Sequence, residues 1–135
     1  MFNMKSNKPN PIDSLIGAGS VISGDIQFSG GLRIDGTVKG NITAVGDTPG
    51  TLVLSELAKV EGEIEVAHVV VNGSVAGPVK AREYLELMPK ARVTGDVTYK
   101  TIEIHVGAIV MGRMVHDANV KTSDKVIEFK PAQSQ

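Results

Sequence analysis

Cysteine and tryptophan are absent from this chain of 135 residues, and aromatic residues make up only 4% of it. Without cysteine there is no disulfide, no thiol nucleophile and no thiolate metal site, which suits a reducing compartment. Charge of one sign is missing too: 14 Lys and Arg face 15 Asp and Glu, so no electrostatic field points at nucleic acid. The first 15 residues, MFNMKSNKPNPIDSL, lack the apolar run of a secretory signal, and no stretch approaches the roughly 18 apolar residues of a membrane span. The chain is therefore expected to stay in the cytoplasm. Neither the G-x-x-x-x-G-K of a phosphate loop nor the G-x-S-x-G of a nucleophile elbow occurs, so neither nucleotide nor cofactor is expected.

What the chain does have is β-branched: 18 Val and 11 Ile stand against 7 Leu. Such side chains are stiff in a helix and fit a pleated surface, which argues for an all-β domain. The 15 Gly, about a tenth of the residues, point to frequent corners or close backbone contacts. The length suits one domain with short tails.

A five-residue pattern, (V/I)-x-G-x-(V/I), returns through the chain. Copies begin at Ile22, Ile34, Val38, Val60, Val71, Val75 and Val93, and a looser one, V-M-G-R-M, at Val110. Repeated units of this kind bury their apolar faces by stacking on one another. With one Gly per return, at 24, 40, 62, 77, 95 and 112, the intervals are 16, 22, 15, 18 and 17 residues. The long interval contains Gly46-Asp47-Thr48-Pro49-Gly50, so its extra residues are expected to form a loop. Longer stretches align as well: LRIDGTVKGNI (32–42) over VVVNGSVAGPV (69–79), and LVLSELAKVEGEI (52–64) over LELMPKARVTGDV (85–97).

Apolar residues two apart, as in Val60-Glu61-Gly62-Glu63-Ile64, read as strands with one wet face. A turn of about 17 residues divides into three strands of 4 to 6 with tight corners, the geometry of a triangular parallel β-helix. About six coils at the strand spacing of roughly 4.8 Å give a rod on the order of 30 Å long. Gly at the centre of the motif lets the backbone turn where a side chain would collide. Val69, Val75, Ala81, Leu87, Val93 and Tyr99 also keep the six-residue spacing of left-handed β-helices, so spacing leaves the handedness open.

Residues 1–13 and 121–135 are polar and read as flexible tails around a β-helix of residues 14–120. His68, His105 and His116 are the obvious catalytic or metal candidates, but they share no ligand spacing, and His68 and His105 fall at outward strand positions. They are expected to be exposed and idle, so no catalytic, metal or cofactor site is assigned. The glutamates alternate with apolar residues and have Lys or Arg nearby, as on a solvated face.

Chemistry then falls to the ends of the rod, where unpaired strand edges need a cap or a partner. The candidate contact residues are Ile12, Leu15 and Ile16 at the N-terminal end and Val120, Val126, Ile127 and Phe129 at the C-terminal end. Contacts at both ends build an open filament. Met1, Phe2 and Met4 with Lys5 and Lys8 form a short apolar and basic peptide, which a polymer would present to an anionic membrane in many copies.

Taken as a succession, ISGDI (22–26), LRIDGTVKGNI, VVVNGSVAGPV and ARVTGDV resemble the bactofilins, bacterial cytoskeletal proteins, over residues 14–120. That resemblance implies a right-handed, triangular β-helix that polymerises end to end without nucleotide into non-polar filaments. It also implies a peripheral place on the inner face of the cytoplasmic membrane through the N-terminal peptide, an apolar closing residue matched best by Phe129, and scaffolding of cell-wall enzymes or polar proteins. The competing expectation is a trimeric left-handed β-helix enzyme of acyltransferase type, with one of the three histidines as base.

Overall fold

A computed structural model describes residues 11–117. Every regular element in them is a strand, and every strand pairing is parallel. The first face is built from β1 (Ser14–Ile16), β4 (Gly31–Ile34), β7 (Thr51–Leu54) and the second halves of β9 (Ile64–Val71), β11 (Val79–Leu87) and β13 (Val97–Ile104). The second face stacks β2 (Val21–Ser23), β5 (Thr37–Lys39), β8 (Lys59–Glu61), β10 (Ser74–Ala76), β12 (Arg92–Thr94) and β14 (Ile109–Met111). On the third lie β3 (Ile26–Phe28), β6 (Ile42–Ala44), the first halves of β9, β11 and β13, and β15 (Met114–His116). The chain thus makes six turns of a three-sided β-solenoid.

Three columns of side chains, each stacked one coil upon the next, run through the core beside a further one on the first face made of Leu32, Leu52, Val69 and Leu85. Ile34, Leu54, Val71 and Leu87 form one, Val38, Val60, Val75 and Val93 the second, Ile42, Ile64, Val79 and Val97 the third, and all are buried. Each fully buried side chain of this size contributes roughly 1.5–3 kcal/mol. On the second and third faces the register steps from coil to coil are 16, 22, 15, 18 and 17 residues, the intervals of the glycine ladder.

Three expectations need correction. The repeated motif is a corner and not a strand: Val38 closes the second face, Ile42 opens the third, and Gly40 turns the chain between them. Strands are also not of uniform length, because β9, β11 and β13 run unbroken around the corner from third face to first, with 8, 9 and 8 residues, while the others have 3 or 4. Finally, the long interval is not one loop. Ile42 to Leu52 spans ten positions where Ile26 to Leu32 spans six, and two more residues enter at the turn Ser55–Ala58.

That turn explains the paired alignments. Between the first and second faces the chain makes either a four-residue turn closed by an N–H···O bond (Ser20 to Gly17, Ala58 to Ser55, Ala91 to Met88, Ala108 to His105) or a tight Asp35-Gly36 or Asn72-Gly73 corner. A Cβ on Gly36 would collide with the carbonyls of Gly17 and Ser20, and one on Gly73 with those of Ser55 and Ala58. Tight corners therefore nest against wide turns of the preceding coil, and the two kinds alternate over the first five coils.

Candidate functional site

The end coils differ from the rest in what they leave open. Among the described residues, β1, β2 and β3 pair only with the coil after them, while β14, β15 and the second half of β13 pair only with the coil before. Each end therefore presents a row of unpaired N–H and C=O groups around the cut end of an apolar core. Ile104 continues the column above buried Leu87 yet is 50% exposed, and Met114 above Val97 is 40% exposed. Ile16, Ile22 and Ile26 hold the matching places in the first coil and are only partly buried.

Outward positions carry the same signal. On the second face the middle coils point Lys39, Lys59, Glu61, Arg92 and Thr94 into solvent, but the first coil points Val21 and the last Ile109 and Met111, with Val115 on the third face. Met111 is 65% exposed and Val21 61%. Lone exposed apolar residues such as Val45 and Leu57 in the middle coils are ordinary, but most of the exposed large apolar residues lie on the two terminal coils, which makes these ends the candidate contact surface.

The sequence-derived candidates are placed as follows. Ile16 points inward onto Ile34, whereas Leu15 faces outward beside Arg33, on the flank of the first coil, and Ile12 is exposed just before β1. Val120, Val126, Ile127 and Phe129, and Met1, Phe2, Met4, Lys5 and Lys8, lie outside the described residues. Reading the sequence missed Val21, Ile22 and Ile26 at one end and Ile104, Ile109, Met111, Met114 and Val115 at the other. The signal for the second group was the last motif copy, the one that departs from the pattern by closing on Met114.

The corner after each ladder glycine carries a polar column. Asp25 Oδ1 accepts the N–H of Asn41, Asn41 Oδ1 that of Glu63, and Asp96 Oδ1 that of Arg113, at 2.9, 2.9 and 3.0 Å. Glu63 makes no such bond, and the residue above it is Pro78, which has no N–H to satisfy. In the last coil the Arg113 guanidinium turns back to Asp96 at 2.9 Å and, with the Arg113 amide, holds that carboxyl below the ordinary range. Other flank charges pair as expected of a solvated surface, Lys80 with Glu63, Arg82 with Glu65 and Lys90 with Glu56 among them. Such exposed pairs contribute little.

The histidines are not brought together. His68 lies on the first face, His105 in the turn of the last coil and His116 on the third face. Two of them are less idle than expected. His68 has a buried Nδ1 with no hydrogen-bond partner, and His105 Nε2 lies 2.7 Å from Glu86 and 3.4 Å from Glu103. His116 stacks on Tyr99 with centroids 5.6 Å apart. Glu86, Glu103 and His105 are the one group among the described residues with donor atoms close enough for a metal, within 4.8 Å, and here they bond to one another.

Next to them the Tyr84 hydroxyl donates to Glu103 at 2.8 Å. Burial, that bond and the charge of Glu86 push the phenol up to about 12. Because the folded value lies above the ordinary one near 10, the stability this group contributes is complete below pH about 10 and disappears as pH rises through about 12. The chain has two tyrosines. Ultraviolet titration is expected to show one phenolate forming near pH 12, absent in Tyr84→Phe and moved down in Glu103→Gln; a single titration near 10 would contradict the geometry.

Comparison with known proteins adds the following. A family described as "Bactofilin: Polymer-forming cytoskeletal" matches residues 14–115. Among curated proteins, the chain is 34% identical over 105 residues to Bactofilin BacO of Myxococcus xanthus (strain DK1622), covering 78% of this chain and 80% of the relative. It is 28% identical over 109 residues to Bactofilin BacP of the same organism, covering 81% of this chain and 44% of that protein. No solved structure matches the chain.

Proposed function

The chain belongs to the bactofilin family of polymer-forming cytoskeletal proteins, and from that premise we propose that it is a non-enzymatic scaffold whose subunits stack end to end, without nucleotide, into filaments on the cytoplasmic membrane face. The observation that carries this reading is the state of the terminal coils: open on one side, with core residues such as Ile104 and Met114 uncovered. A second copy is a suitable cover, because its own coil offers parallel or antiparallel strand edges and an apolar column of the same triangular section. Residues 14–120 form the polymerising unit. Ile12, Leu15 and Ile16 contribute at one end, and Val120, Val126, Ile127 and Phe129 extend the contact at the other. Met1, Phe2, Met4, Lys5 and Lys8 attach the polymer to anionic lipid. Cell-wall enzymes or polar proteins are the class of client such a membrane-held rod would organise.

No helix among the described residues is long and apolar enough to cross a membrane, so membrane contact in this reading rests on the short peptide and its repetition along the filament. One such peptide binds weakly; many copies on a rigid polymer bind together. Negative-stain electron microscopy of nucleotide-free protein is the test, and discrete particles in place of filaments would overturn the proposal. Deleting Met1 to Lys8 is expected to leave filaments intact and abolish their co-sedimentation with anionic vesicles. If the truncated polymer still sediments with vesicles, the anchor lies elsewhere.

A further inference from the structure

We propose that the C-terminal end of the solenoid is a methionine-oxidation switch, in which a peroxide converts the thioether of Met114, with that of Met111 beside it, to the sulfoxide and so prevents addition of the next subunit. The inference rests on the end-to-end assembly proposed above and concerns its regulation.

The chain has five methionines, and three of them, Met88, Met111 and Met114, are among the described residues. Two of those three sit in the last coil. The column to which Met114 belongs is otherwise Ile26, Ile42, Ile64, Val79 and Val97, β-branched in all five preceding coils. The methionine therefore stands at the C-terminal open coil, whereas the N-terminal open coil carries the partly buried Ile26. A column that merely ended could carry another valine. An unbranched, polarizable side chain suits a surface that must fit itself to a separate molecule, and methionine is enriched in such surfaces for that reason. Met111 points outward from β14, so together the two side chains place sulfur both on the axial opening and on its rim. Met88 sits in the turn of the coil below and is only partly exposed.

The chemistry is a two-electron oxygen transfer. With hydrogen peroxide the O–O bond breaks, one oxygen forms the S=O bond, and the other leaves as water with both protons; sulfur is oxidised and peroxide reduced. The product is a flexible apolar side chain turned into a strong acceptor. At a dry coil-to-coil contact that acceptor has no donor, because the strand N–H groups around it are taken by the ladder. Inside a filament the Met114 sulfur is covered, whereas a free subunit or a filament end exposes it; Met111 continues the outward row of Thr94 and stays accessible. Oxidation thus withdraws subunits from growth without cutting existing polymer, and methionine sulfoxide reductases restore them.

The experiment uses the full chain, treated with graded hydrogen peroxide before assembly. Peptide mass spectrometry reads oxygen addition at Met88, Met111 and Met114, and pelleting reads the concentration needed for assembly. That concentration is expected to rise on the order of tenfold as Met114 and Met111 become oxidised. The Met111→Leu/Met114→Leu variant conserves volume, and its own untreated pelleting curve is the reference from which peroxide is expected to cause no further shift. Full oxidation at both sites with unchanged pelleting overturns the switch while leaving the assembly reading intact, and so does a peroxide-sensitive Leu variant. An untreated wild-type chain that forms no polymer removes the assembly reading, and the switch with it.

Discussion

Gly77→Ala is expected to destabilise the subunit by about 3 kcal/mol or more, lowering its melting temperature by roughly 10–20 °C, whereas Gly24→Ala is expected to leave the subunit folded but unable to polymerise. Both residues belong to the same glycine ladder, so the contrast isolates position. Gly77 has φ +148°, which L side chains rarely adopt, and a Cβ there would overlap the carbonyl of Gly62 in the coil below. Backbone atoms cannot move aside without breaking the ladder on both faces. Gly24 also has positive φ, +131°, and its substitution carries that strain, about 1–2 kcal/mol. Yet nothing lies within 4 Å of a Cβ at Gly24, because no described coil lies beneath it. In the end-to-end filament proposed above, the neighbouring subunit would occupy that space, and the methyl group would stand in its way. Thermal melts by circular dichroism and pelleting assays read the two effects separately. Equal melting temperatures for the two variants would mean that the inter-coil collision is unimportant, and normal filaments from Gly24→Ala would mean that no backbone docks there.

At the opposite end, Ile104→Arg is expected to abolish filaments while leaving the fold in place. Ile104 is the last member of the column Ile34, Leu54, Val71, Leu87, and half of it is already exposed, so an arginine can reach water in the free subunit. Covered by a second molecule, the guanidinium would be a buried charge with no partner, a cost of about 3–5 kcal/mol, which weakens the contact roughly 150- to 5,000-fold. Sedimentation velocity should find a subunit of native circular dichroism and no polymer. Filaments of normal length would take Ile104 out of the interface.

Much of this architecture is legible in the chain. The ladder glycines at 24, 40, 62, 77, 95 and 112 are spaced as the coils are registered, since from Gly40 onward each turns the chain directly over its predecessor, where a Cβ would meet the carbonyl below. The 32–42 over 69–79 alignment is equally physical: both stretches contain a tight corner nested on a wide turn. The site was less readable. Tyr84, Glu86, Glu103 and His105 converge because the register of the last two coils sets Glu103 directly over Glu86, and nothing local to any of them announces the meeting. Leu15 counts as apolar in composition, but the strand's alternation turns it to the flank beside Arg33 and turns Ile16 inward.

Period, strand character and coil number are local properties. They follow from β-branched side chains and glycines recurring at short range, where sterics of φ and ψ and the two-residue alternation act within a few positions. Which coil is last is not local. Ile104 and Met114 occupy the same register positions as their buried counterparts Leu87 and Val97, and are left in water because no described coil lies above them. Burial is set by neighbours a full turn away. The proposed contact surface is therefore a property of the assembled stack, visible in its uncovered ends and not in any short stretch of chain.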